Sequence, residues 1–183
     1  MDNKTTYDNE KTEQLFRRDL HGYLTSIGQV DERLPEAPDL EELWPKLAQS
    51  YMPDGVREFT AYPTASLGWM MYIGMAVAKY WDEDWALYSK VEDLYKYLRD
   101  RIDFDHMDEY ILHQVLLLTP EAEHKVNDTV AECASRTYNA IMHLHLEPGT
   151  PEAFRTYVAA LHQLYLMGVA MELNALGYHM TKM

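Results

Sequence analysis

The stretch FTAYPTASLGWMMYIGMAVA, Phe59 to Ala78, runs for twenty residues without a charged side chain. It lies between Glu58 and Lys79 in a chain otherwise rich in acid, with 30 Asp and Glu against 16 Lys and Arg among 183 residues. Such a run is either a membrane span or the segment about which a core assembles. Length alone allows the span, since about 20 residues cross a bilayer. Content argues against it. Thr60, Tyr62, Pro63, Thr64, Ser66, Gly68, Tyr72 and Gly74 dilute the run. Its densely apolar part, Leu67 to Ala78, is only 12 residues long, the length of a buried core helix.

Pro63 sets the helix start near Thr64, so the reading is a helix over 64–81 with Phe59–Pro63 outside it. A second stretch behaves the same way. From Thr156 to Met171 there is no Asp, Glu, Lys or Arg, within a helix expected over 151–178. A helix that is apolar on all sides is buried on all sides. These two helices are therefore expected at the centre, with amphipathic helices around them. Glycines at Gly68, Gly74 and Gly168 each cost a helix roughly 1 kcal/mol relative to Ala. Close helix–helix approach is the expected compensation, and a ligand cavity is the sharper alternative.

The rest of the chain also carries three- and four-residue apolar spacing and no strand-like alternation. The spacing predicts a helix over 10–27, closed by Gly28, and a short helix from Asp39, with Glu42 three residues on. Met52-Pro53-Asp54-Gly55 reads as a turn. Asp82-Glu83-Asp84 is expected to open a helix whose stripe is Leu87, Val91, Leu94, Leu98 and Ile102; no Gly or Pro separates it from the helix before, so one long helix through both is the alternative. A short helix follows over 106–118. Thr119-Pro120-Glu121 and Thr150-Pro151-Glu152 each combine an N-cap, a first-position proline and an acidic first turn. Pro148-Gly149 between those last two helices predicts that they are antiparallel neighbours. The fold class is all-α: one compact bundle of six to eight helices in a single domain over 1–183, with 1–9 expected to be disordered.

Composition narrows the function classes. A formal net charge of -14 repels nucleic-acid phosphates and anionic lipid surfaces alike, so neither is an expected partner. Cys133 is the only cysteine, which rules out an internal disulfide and a thiolate zinc site and fits a reducing compartment. The first residues are polar, so no secretory signal is expected and the assigned location is cytoplasmic. The chain has no Gly-x-Gly-x-x-Gly, phosphate loop, Gly-x-Ser-x-Gly, His-Glu-x-x-His or calcium loop. Glu121-Ala122-Glu123-His124 is its one Glu-x-x-His, short of the two that a di-iron bundle needs.

Glu172 is the polar residue that stands out. On a helical wheel it aligns with Phe154, Leu161, Tyr165, Gly168 and Leu176, the centre of the most apolar stripe. A buried unpaired carboxylate is unfavourable, so it should find a partner or hold a proton. Lys79 is a candidate partner, as are a tyrosine hydroxyl and a histidine. His106, Glu109 and His113 share one helix face at metal-ligand spacing, with Asp103, Asp105 and Asp108 nearby. That face opposes the stripe of Met107, Ile111, Val115 and Leu118, which directs it at solvent, and no metal is assigned. His143 and His145 lie about 200° apart on a helix and cannot ligate jointly. His162, His179 and Cys133 read as packed or solvated residues.

Three roles stay open on this reading. The first is a non-enzymatic interaction or regulatory protein that self-associates or takes a protein partner. Its support is the surplus of aromatic and methionine side chains (14 Tyr, 4 Trp, 11 Met), which favour interface cores. The second is a binder or sensor of a small apolar or amphipathic ligand, held between the 64–81 and 151–178 helices by Trp69, Tyr72, Tyr165 and Glu172. Met70, Met71, Met75 and Met171 would supply an adaptable lining there, or else belong to the core. The third is an enzyme using Glu172 or the His106/Glu109/His113 face. No catalytic residue and no cofactor is assigned.

Overall fold

A computed structural model describes residues 3–178, with side chains from Glu10 onward. The expectations for 1–9 and for His179 fall wholly or partly outside that description. Among the described residues there are eight α-helices and no strand: α1 (Asn3–Ser26), α2 (Pro38–Glu42), α3 (Trp44–Ala61), α4 (Pro63–Tyr88), α5 (Leu94–Arg99), α6 (Met107–Tyr110), α7 (Pro120–His143) and α8 (Pro151–Ala175). A 3-10 turn at Phe104–His106 precedes α6, and a π turn at Ile111–Val115 follows it. No described helix is long and apolar enough to cross a membrane.

The two uncharged stretches are α4 and α8, and they form the central pair. Their mutual contact is the most extensive in the molecule; α3 and α7 pack on α4, and α1 packs on α8. The glycines explain how the pair closes. A Cβ at Gly74 would lie 2.5 Å from the carbonyl oxygen of Tyr165 and 3.1 Å from the amide nitrogen of Val169. A Cβ at Gly168 would collide with the carbonyl oxygen of Met71. Backbone meets backbone at both points, so the glycines serve close approach and leave no ligand space between the helix faces.

Thr119 and Thr150 cap α7 and α8 as expected, accepting hydrogen bonds from the amides of Ala122 and Ala153. The two helices then meet over a small area only, because α7 turns its buried face, Val130, Cys133, Ala134 and Thr137, mainly toward α4 and α1. Gly68 lets it come near α4: a Cβ there would sit 3.1 Å from Val130 Cγ1.

Three local expectations are corrected. Met52-Pro53-Asp54-Gly55 is helix, not turn, and lies inside α3. Pro53 removes a helical hydrogen bond, worth about 3 kcal/mol in an isolated helix, and tertiary contacts override it. Asp54 accepts from the Tyr95 hydroxyl at 2.6 Å and from Arg99 Nε at 2.9 Å. Gly55 leaves room for Tyr51 and Tyr157, whose atoms lie 2.5 and 2.7 Å from where its Cβ would be. Second, Phe59–Ala61 finish α3, and only Tyr62 departs from helix before Pro63. The residue before a proline is pushed out of the helical region. Third, the acidic triplet does not open a long helix. The chain stays helical to Glu83 and breaks at Asp84, whose carboxylate caps the Leu87 amide at 3.1 Å. A turn follows, and Asp93 caps α5 through the Lys96 amide. The expected stripe is therefore interrupted: Leu94 and Leu98 are buried, while Leu87 is 57% exposed.

Candidate functional site

Glu172 sits in the last turns of α8 and is only 8% exposed. Among the described residues its carboxyl makes no hydrogen bond and no ion pair within 4 Å. Lys79 does not close the expected pair, since its ion pair is with Glu83 at 3.9 Å. Burial pushes the Glu172 carboxyl up to about 7; the nearby charge of Lys79 pulls it down and that of Asp82 pushes it further up. The group is thus divided between acid and carboxylate near neutral pH.

The carboxyl opens onto a cleft of about 180 Å³. Met75 of α4 and Met171 and Ala175 of α8 form one wall. Ala122 and Val126 of α7 form another, with Lys125 beside them. Leu116 and Leu118 close the third side, with Gln29 from the link after α1. The third side has an unusual backbone. It follows the π turn, and Leu117 between the two lining leucines has φ 54°, in the left-handed region. Short π segments and left-handed non-glycine residues cluster at functional sites.

The other residues expected to hold a ligand are spent on the fold. The Tyr165 hydroxyl donates to the Leu40 carbonyl at 2.6 Å, and the ring is fully buried. The Tyr72 hydroxyl donates to Asn127 Oδ1 at 2.6 Å, and Trp69 Nε1 to the Phe104 carbonyl at 2.7 Å. Burial raises both tyrosines well above their ordinary range, so they stay neutral. The pocket expected between the faces of α4 and α8 is therefore replaced by the cleft at their rim. Of the residues expected to line a pocket, Glu172, Met75 and Met171 line this cleft.

His106, Glu109 and His113 are all exposed, and hydrogen bonds separate the histidines. His106 Nδ1 bonds Asp103 at 2.7 Å, which raises its pKa, while His113 Nε2 bonds Glu123 at 2.6 Å. No group of three or more potential ligands that could hold a metal ion occurs among the described residues. Cys133 is fully buried, and burial pushes its thiol up to about 12, so it is not a nucleophile at neutral pH.

A second polar cluster was not legible in the sequence. Glu13 of α1 bonds His162 Nδ1 and accepts from Gln163 Nε2 at 3.1 Å, both on α8. Burial would raise Glu13, but the His162 and Gln163 hydrogen bonds and the charges of His162 and Arg17 outweigh it and hold the carboxyl below its usual range. Trp44 stacks on the His162 ring with centroids 4.9 Å apart. The cluster borders an open groove of about 860 Å³ between α1 and α8. Glu13 and His162 are separated by 149 residues, and neither lies in a motif, so no local pattern could pair them.

Fold and site together define an all-α protein with a small cleft at the rim of its central helix pair. Comparison of the chain with protein-family models, with curated proteins and with solved structures returned no match.

Proposed function

We propose that this protein is a cytoplasmic binder, and by binding a sensor, of a small amphipathic molecule at the Glu172 cleft. One observation carries the reading: Glu172, a residue only 8% exposed whose carboxyl has no hydrogen-bond partner among the described residues, lines a largely apolar cleft. Buried polar groups in folded proteins are nearly always paired, and one that is not calls for an explanation. A ligand donor supplies it. The size of the cleft sets the ligand class. An apolar cavity of about 150 Å³ holds one benzene, so about 180 Å³ suits a single ring or a short alkyl chain with a hydroxyl or similar donor. The surplus of Met and aromatic residues gives less support to self-association, because Met70, Met71, Tyr72 and Met75 are core residues and Trp69 is partly buried against them.

The donor head binds ionised Glu172, so affinity should rise as pH increases through about 7 and level off above it. Titration with phenol and benzyl alcohol, followed by NMR of the methionine methyls, tests this. Saturable shifts at Met75 and Met171, strengthening from pH 6 to pH 8, are expected. Glu172→Gln should abolish the pH dependence. Shifts that are absent, or that keep their pH dependence in E172Q, would refute the assignment.

A further inference from the structure

We propose that the Glu172 cleft takes a small hydroxy-acid, whose hydroxyl end faces Glu172 and whose carboxylate end is held at the mouth by Lys125. The proposal rests on the reading of the cleft given above and adds the second end of its ligand. Of the residues that line the cleft, only Gln29, Lys125 and Glu172 are polar. Glu172 is buried and Lys125 is exposed, so Glu172 marks the inner end of the cleft and Lys125 its open end.

These two opposite charges share one small cleft and do not meet. No ion pair within 4 Å joins them, and the charges that act on Glu172 are those of Lys79 and Asp82, not of Lys125. Lys125 is not held by its own helix either. Glu121 stands four residues before it on α7 and Asp128 three residues after, positions from which a carboxylate reaches a lysine. Neither forms an ion pair with it within 4 Å, and Asp128 pairs with His124 at 3.4 Å instead. A ligand that spans the cleft supplies the partner that each charge lacks.

The two groups ask for different ends. Ionised Glu172 only accepts, so it selects a donor such as a hydroxyl. The Lys125 ammonium only donates and carries one positive charge, so it selects an anionic acceptor. The Gln29 amide both donates and accepts, and selects neither end. A ligand of reversed polarity would set a cation against Lys125 and an anion against Glu172. A singly charged carboxylate matches the one cation of the lining, whereas a doubly charged phosphate would leave a charge over in a chain of net charge -14. Between the two ends, about 180 Å³ of mainly apolar space suits one ring.

Titration at pH 8 with four probes, read by NMR on the Met75 and Met171 methyls, tests the proposal. The probes are 4-hydroxyphenylacetate, its uncharged amide, tyramine and phenol. The acid should bind about two- to fivefold tighter than the amide and phenol, the range of a partly exposed ion pair, and tyramine should bind most weakly. Lys125→Met, at an exposed position, should erase the preference for acid over amide and leave phenol affinity unchanged. Lys125→Glu should place the acid below the amide. An acid that binds no tighter than its amide, or a preference that persists in Lys125→Met, overturns the proposal, while saturable phenol binding leaves the Glu172 reading standing. Tyramine as the tightest probe also overturns it, because the overall negative charge of the chain would then govern binding. If none of the four gives a saturable shift, the proposal and the Glu172 reading fall together.

Discussion

Glu13 and Glu172 are both drawn out of water against α8, and their carboxyls respond in opposite directions. Glu13 is bonded by His162 and Gln163, and its pKa is held down. Glu172 is more deeply buried, feels Lys79 only through space, and is pushed up to about 7. The difference teaches that burial alone does not decide whether a carboxyl keeps its charge; the hydrogen bonds it receives decide. It also gives the two carboxyls different tasks. At Glu13 the charge is already supported, and the carboxyl ties α1 to α8. At Glu172 the carboxyl itself is unmet.

The largest expected effect breaks the comparison at Glu172. Its folded pKa, about 7, stands above its ordinary 4.5, so the folded state binds the proton more tightly than the unfolded chain does. The resulting stability is fully present below pH 4.5, is lost as pH rises toward 7, and changes no further above that. A shift of this size amounts to roughly 3 kcal/mol across the window. The charged groups that act on Glu172 are Lys79 and Asp82 of α4. Urea unfolding at several pH values should show wild type losing about that much relative to Glu172→Gln between pH 4.5 and pH 7.5. Parallel curves for the two proteins would mean that Glu172 is solvated or paired after all.

A smaller effect of opposite sign is expected at Glu13. Its pKa is depressed, so its stabilisation is present above the ordinary 4.5 and disappears as pH falls below that value toward its folded pKa. Glu13→Gln removes the charge from two hydrogen bonds that tie α1 to α8, and about 1.5 kcal/mol should be lost at pH 7. Thermal or urea unfolding reads this directly. A variant as stable as wild type at pH 7 would show that Glu13 contributes nothing to the α1–α8 contact.

This contrast also marks what the sequence could show. The absence of charge in α4 and α8 located the central pair, because an all-apolar helix has no solvent face to choose. Glu172 was visible for the same reason, as a charge within an apolar stripe. Thr119-Pro120 and Thr150-Pro151 marked helix starts because capping is local chemistry. Pro53 misled because distant contacts decided it: Tyr95 and Arg99 hold Asp54 in a helix. At Asp84 the deciding contact is local, a carboxylate that caps Leu87 three residues on and opens only a short helical turn. The Glu13–His162 contact was hidden because its partners lie on the first and last helices, and only the packing of α1 on α8 brings them together. The acceptors of the Tyr165 and Tyr72 hydroxyls, the Leu40 carbonyl and Asn127, were hidden in the same way, being 125 and 55 residues away.

The smallest effect tests the wall that the Glu172 cleft has and the Glu13 groove lacks. Leu117 holds φ 54° just after the π turn, and its side chain is 71% exposed. An L-residue in that conformation is strained by roughly 1–2 kcal/mol, and an exposed leucine recovers little of this through packing. Leu117→Gly removes the strain but enlarges the freedom of the unfolded chain, which offsets about 0.5–1 kcal/mol. The net expectation is a gain of about 0.5 kcal/mol, with Leu117→Ala close to neutral because it keeps the Cβ. Phenol affinity should not change in either variant, since the lining side chains are Leu116 and Leu118. A loss of stability in Leu117→Gly would show that the segment is held by the leucine side chain itself. The left-handed backbone beside Glu172 would then follow from packing and would be no sign of a site.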